Sequence, residues 1–223
     1  RLANVAPESV LALFKTPRTV GVFLDGLADR VACCFLFDAM ADSRNFPTVR
    51  GWTLQAFATR TFEQACSIEG SRVKVRPLGV EQSNSSVVLD EQAILKLYRR
   101  VEEGSNPDFA ISLQLTEHTD FTSLPPVAGG IVLNREGRST AVAMLQPYLA
   151  SDGDGWTYAL QSARDFLERT RSLPEEQVRP FAGMPLLDTA AAYAQHNSTN
   201  AELFGEDLTI FENLGRRTAA FHV

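Results

Sequence analysis

Residues 73–115 read VKVRPLGVEQSNSSVVLDEQAILKLYRRVEEGSNPDFAISLQL. The hydrophobic period of this stretch switches from two to about four, and that switch decides the fold. Val73 and Val75 open a strand, Ser83, Asn84, Ser85 and Ser86 interrupt it as a small polar loop, and Val87, Val88 and Leu89 resume it. Asp90-Glu91 reads as a tight turn into a further strand over residues 93–98. After Gly104-Ser105, Asn106 is placed to cap a helix and Pro107 suits its first position. Phe109 with Leu113, and Ile111 with Leu115, then repeat at i,i+4, predicting a helix of about ten residues. Further on, a loop carries Pro125-Pro126, and residues 130–133 and 140–145 make two strands around a polar turn at 134–137. The order is strand, strand, strand, helix, strand, strand.

Upstream, Pro7 precedes Glu8, Val10, Leu11 and Phe14, which predicts a short helix with proline in its first turn. Residues 19–24 are a short β-rich run, Asp25 is placed to cap a helix through Ala41, and residues 50–58 alternate loosely with Trp52 and Leu54 on one face. Downstream, residues 151–155 break the pattern, and Trp156, Leu160, Ala163 and Leu167 mark an amphipathic helix. Residues 189–195 are alanine-rich and read as helical. A last helix starts near Asp207 with Phe211, Leu214, Thr218 and Phe221 on one face. It carries no stop signal, so the sequence reads as part of a longer protein, and its apolar stripe predicts self-association or a poorly covered face. The expected class is α+β: a mixed unit over 1–77, the strand-and-helix unit over 78–152, and the opening helices of a further unit over 153–223.

Composition narrows the function. The chain has 223 residues, 44% hydrophobic and 22% charged, which excludes wholesale disorder. Its net charge of −6 does not advertise a nucleic-acid partner. No apolar run approaches the roughly 18 residues that span a bilayer. No signal peptide is visible, and the chain starts at Arg1 rather than Met. Cys33, Cys34 and Cys66 are odd in number and lack metal-ligand spacing, which points to thiols in a reducing cytoplasm. His118, His196 and His222 are isolated from one another, so no zinc site is expected.

Three strands with a polar loop between the first two, a lysine inside the third, and then a helix form the layout of a protein-kinase-like small lobe. Such a loop covers nucleotide phosphates and such a lysine reaches them. Here the loop is not glycine-rich. Ala93, Leu95 and Leu97 fall on the face opposite Lys96, so spacing alone also fits a solvent-facing lysine.

Residues 81–87, 94–100 and 106–108, followed by Ala143-Met144-Leu145-Gln146, Gly153-Asp154-Gly155-Trp156 and 214–219, together resemble the maltokinase family. Its members often occur fused to trehalose synthase. The resemblance runs in family order from about residue 78 to 223 and is only loose over 1–77. It implies an aminoglycoside-phosphotransferase-like kinase that uses ATP and Mg2+ to convert maltose to maltose 1-phosphate for α-glucan and trehalose metabolism. It implies that Lys96 contacts the nucleotide phosphates, that Ser83, Asn84, Ser85 and Ser86 form the covering loop, and that Leu145, Gln146, Pro147 and Tyr148 form a hinge beside adenine. A trehalose synthase domain or subunit is an implied partner. Two departures stand out. Ala110 occupies the position where the family's helix places a glutamate to pair with the lysine, leaving Asp108 or Glu117 to compensate. The family's catalytic and Mg2+-binding aspartates do not occur within these 223 residues, so no catalytic or metal residue is assigned here and the chain as given is expected not to turn over. The alternatives are a non-catalytic kinase-like module with a binding or scaffolding role, and a kinase of another sugar or aminosugar.

Overall fold

Two tight turns set the register of the main sheet. Asp90 and Glu91 both have positive φ, 51° and 53°, as do Glu136 and Gly137, 49° and 80°. Paired left-handed residues give the twist that closes an antiparallel hairpin. The first turn joins β6 (Asn84–Leu89) to β7 (Ala93–Tyr98), and the second joins β8 (Gly129–Arg135) to β9 (Arg138–Pro147). Aspartate tolerates φ > 0 better than most residues, and Asp90 is also tied in place. Its carboxylate accepts the Lys74 backbone N–H at 2.7 Å, and its own N–H donates to the Lys74 carbonyl at 2.9 Å.

The computed structural model describes residues 9–65, 68, 73–78, 84–102, 104–171 and 207–222. These fall into two compact units, residues 1–150 and 151–223. In the first, β1 (Val10–Lys15) and β2 (Val20–Leu24) form a separate hairpin. A 3-10 turn (Gly26–Ala28) and α1 (Arg30–Ala41) follow, then β3 (Asn45–Pro47), β4 (Thr53–Ala58), the short α2 (Phe62–Ala65), β5 (Val75–Pro77), β6, β7, α3 (Pro107–His118), β8 and β9. The main sheet is antiparallel and seven-stranded, in the order β3-β4-β8-β9-β7-β6-β5. The chain is thus mixed α+β with antiparallel sheets and a few helices.

A helix covers each face of this sheet. On one, α1 buries Cys33, Phe37, Ala39 and Met40 against Ala56, Val87, Leu95 and Leu145. On the other, α3 packs Phe109 against Tyr98, Val132, Ala141 and Met144, with Phe57 edge-on at 6.3 Å. The Gly129-Gly130 pair lets both helices approach. A Cβ on Gly129 would meet the Phe57 carbonyl at 2.9 Å and Met40 at 3.3 Å. A Cβ on Gly130 would meet the Phe109 ring at 2.8 Å.

Several expectations need correction. The helix expected after Pro7 is strand β1, paired with β2 through Phe14 and Phe23, whose ring centroids are 5.1 Å apart. A five-residue apolar run, residues 10–14, satisfies either period, and its neighbour in space decides. The helix expected from Asp25 is split: Asp25 caps the 3-10 turn, and Asp29 caps α1 by accepting from the Val31 N–H at 2.9 Å. The boundary placed at residue 77 falls at the end of β5, inside a sheet that also contains β3 and β4. The expected five strands become seven because β4 adds to β8 along its whole length, Thr53 opposite Asn134 through Ala58 opposite Gly129. Asn84, Ser85 and Ser86, read as a loop, are the first residues of strand β6, paired with Tyr98, Leu97 and Lys96.

The second unit shows α4 (Gly155–Arg171) and α5 (Asp207–Phe221). Asp154 caps α4, accepting from the Thr157 N–H at 2.9 Å and the Thr157 hydroxyl at 2.8 Å, and these bonds hold its carboxyl below the usual range. Trp156, Leu167, Phe211 and Leu214 are exposed. The helix read over 189–195 lies outside the described residues. No helix among the described residues is long and apolar enough to cross a membrane.

Candidate phosphate-binding site

The β-pleat places alternate residues on opposite faces. Asn84 and Ser86 of β6, Lys96 and Tyr98 of β7, and Met144 and Gln146 of β9 project on the face that α3 covers, in a register of Ser86 opposite Lys96 and Lys96 opposite Met144. The cap of α3 is as the sequence predicts. The Asn106 side chain accepts from the Phe109 N–H at 3.3 Å, and Pro107 opens the helix. This cap brings the first turn of α3, with Asp108, over the end of β7.

Lys96 Nζ donates to Asp108 Oδ2 at 3.0 Å. The Tyr98 hydroxyl donates to the same oxygen at 3.1 Å and lies 3.9 Å from Met144 Sδ. Burial, and then the Asp108 charge, push the Tyr98 phenol well above its ordinary range, so it stays a donor. The Lys96 side chain is 18% exposed and that of Asp108 47%. With one partner that open, the pair is worth about 0–1 kcal/mol to folding. Its importance lies in geometry: the ammonium of a mostly covered side chain is held at a fixed place between a strand and a helix start. Ser86 Oγ, on the residue opposite Lys96, is buried and has no hydrogen-bond partner among the described residues. A cavity of about 400 Å3 opens beside the pair, lined by Asn84, Tyr98, Arg100, Asn106 and Asp108 among others.

Of the residues singled out in the sequence, Lys96, Asn84, Ser86 and Gln146 therefore share one face. Ser85 points to the other, where its hydroxyl accepts from Arg99 Nε at 2.8 Å. Ser83 lies outside the described residues. Gln146 donates through Nε2 to the Pro125 carbonyl at 3.0 Å, and the Tyr148 N–H donates to the Gln92 carbonyl at 2.7 Å. Tyr148 also sits under the Arg76 guanidinium, 5.5 Å from it, and Arg76 forks onto Glu91 with two bonds of 2.7 Å. Glu117 is far along α3 from Asp108 and does not pair with Lys96; its Oε1 is buried with no hydrogen-bond partner among the described residues. Tyr98 was missed as a site residue. The spacing Lys96-x-Tyr98 puts both on one strand face, and that is the signal that finds it.

No family model matches the sequence. One curated relative is a glucosamine kinase of Mycolicibacterium smegmatis, 27% identical over 100 residues, which is 44% of this chain and 25% of that protein. The homology is weak, and the match spans about a quarter of that relative's length. A solved glucosamine kinase (crystal form A) gives a TM-score of 0.44 at 21% identity, over 74% of this chain and 34% of that one. A second crystal form, B, gives 0.31 at 16% identity, over 60% and 41%. The maltokinase family itself is not shown by these comparisons.

Proposed function

We propose that this chain is the nucleotide-binding part of an ATP-dependent sugar or aminosugar kinase. The observation that carries the reading is the Lys96–Asp108 pair, which fixes an ammonium on the third strand of a β5–β6–β7 meander against the helix that follows it. That is the arrangement in which a lysine neutralises nucleotide phosphate charge. Asp108 supplies the carboxylate that Ala110 lacks, and Tyr98 orients it. The buried Ser86 hydroxyl beside Lys96 adds a donor for a phosphate oxygen. Gln146 and Tyr148, at the end of β9 on the same side, are the proposed neighbours of the adenine.

Phosphoryl transfer to a sugar hydroxyl is catalysed mainly by positioning and charge neutralisation. Lys96, Asp108, Tyr98 and Ser86 supply part of that. Among the described residues no group of three His, Cys, Asp or Glu is gathered to hold a metal ion.

For the acceptor, the name of the curated relative favours an amino sugar, with maltose the acceptor suggested by the sequence resemblance. The two are separated by offering glucosamine and maltose with ATP to the intact protein and identifying the phosphorylated product. Nucleotide use is tested by calorimetric titration of ATP. The reading expects saturable binding that weakens about tenfold or more in Lys96→Met, the loss of one desolvated charge–phosphate contact. Absence of binding, or binding unchanged in Lys96→Met, would sink it.

A further inference from the structure

Among the described residues, the face of the sheet on which α1 packs is covered at one end only. α1 reaches Gly129 through Met40. At the far end, toward the Glu136-Gly137 turn, the same face opens into a cavity of about 710 Å3, within the range of small-molecule sites. Its position follows from the register. Leu54 pairs with Leu133, which pairs with Thr140, and Arg135 pairs with Arg138 one repeat nearer the turn. Leu54 and Val142 pack against the α1-side core, so this cavity lies on the face opposite Lys96.

The floor is apolar: Leu54, Val101, Leu133 and Val142. Around it stand three arginines, Arg50, Arg135 and Arg138, and none of the described lining residues is acidic. This is a cationic rim on a chain of net charge −6. Glu136, the neighbouring acid, sits on the turn 3.9 Å from Arg135 with its side chain 82% exposed, and is not among the lining residues. The Arg135 guanidinium is stacked 4.8 Å from the centre of the Trp52 ring. That stacking fixes the plane of its donor fork and leaves its edge available to an acceptor.

We infer that this cavity is a second ligand site that binds a small organic anion with a planar apolar body and a carboxylate. The floor takes the body, and the arginine forks take the carboxylate bidentately. The site is independent of the nucleotide reading, because it uses the other face and none of the same residues.

The test is calorimetric titration of the 223-residue chain with 2-naphthoate and, separately, with its neutral analogue 2-naphthamide. The site requires saturable 2-naphthoate binding, with the amide weaker by about tenfold or more. Arg50→Gln/Arg135→Gln, which changes only rim side chains, should weaken 2-naphthoate by a similar factor, with the circular dichroism spectrum unchanged. Lys96→Met should bind 2-naphthoate as the parent does, whether or not it has lost ATP. Equal affinity for acid and amide, or affinity unchanged in the double arginine variant, would overturn the inference. So would loss of 2-naphthoate binding in Lys96→Met, or no saturable binding at all.

Discussion

The two helices that cover the main sheet hold on by different means. α1 is anchored by hydrophobic burial: Cys33, Ala39 and Met40 have no exposed surface and Phe37 has 7%. α3 buries Phe109 and Thr116 alone, and is fixed largely by polar ties. Asp108 takes Lys96 and Tyr98 at its start. Near its end the Thr116 hydroxyl accepts the buried Val127 N–H at 2.8 Å, and Arg60 Nε donates to the Thr116 carbonyl at 2.9 Å. An apolar anchor favours one packed position, because any gap forfeits contacts. Polar ties hold a helix while leaving groups that a charged ligand can engage. The α1 face is built for stability at its Gly129 end, and the α3 face is where the chemistry-bearing side chains meet.

If that contrast is right, truncating the α1 anchor has the largest effect on folding. Met40→Ala is expected to cost about 2–5 kcal/mol in urea denaturation, the usual range for a fully buried large side chain. It should leave ligand affinities unchanged in the folded fraction. A loss below 1 kcal/mol would mean that α1 is not the anchor. Next is Thr116→Val, which keeps the shape and removes the acceptor for Val127. Leaving that buried N–H unsatisfied is expected to cost about 1–3 kcal/mol. A neutral result would show that the Thr116–Val127 bond does not help to hold α3.

Asp108→Asn should then separate stability from function. The ion pair is half open to solvent, so stability should change by no more than about 1 kcal/mol. Lys96 would lose its charged partner and Tyr98 a strong acceptor, so ATP affinity is expected to fall about tenfold. A variant that unfolds, or that binds ATP as before, breaks the division of labour between the faces.

The smallest expected effect is at Glu91. The Arg76 guanidinium holds its carboxyl below the ordinary value in the folded state. A depressed folded pKa means that its contribution is present above the unfolded value, about 4.3, and is lost as pH falls through the folded one. Amide exchange at Arg76 should therefore speed up only in acid beyond what exchange chemistry itself gives. Glu91→Gln should remove that acid dependence.

The strands and helix around Lys96 were legible because local signals agree there. Asp90-Glu91 at the turn, the Asn106-Pro107 cap and the i,i+4 pairs of α3 each point to the observed element. β3 and β4 were not placed in the sheet, because the partner of Leu54 is Leu133, far along the chain, and no local pattern encodes that pairing. β1 was read as a helix for want of knowing its partner β2. Lys96 was singled out by its type and context, and its role in a site is part of the proposal. That Asp108 rather than Glu117 is its partner was not decidable from spacing. It follows from the Asn106 cap setting the start of α3, not its last turn, over β7.

If the α3 face takes the nucleotide, amide and methyl NMR shifts during titration with ATP should cluster at Ser86, Lys96, Tyr98, Asp108 and Gln146, and should disappear in Lys96→Met. Shifts confined to the α1 face, or a cluster around Lys96 that survives its replacement by methionine, would contradict it.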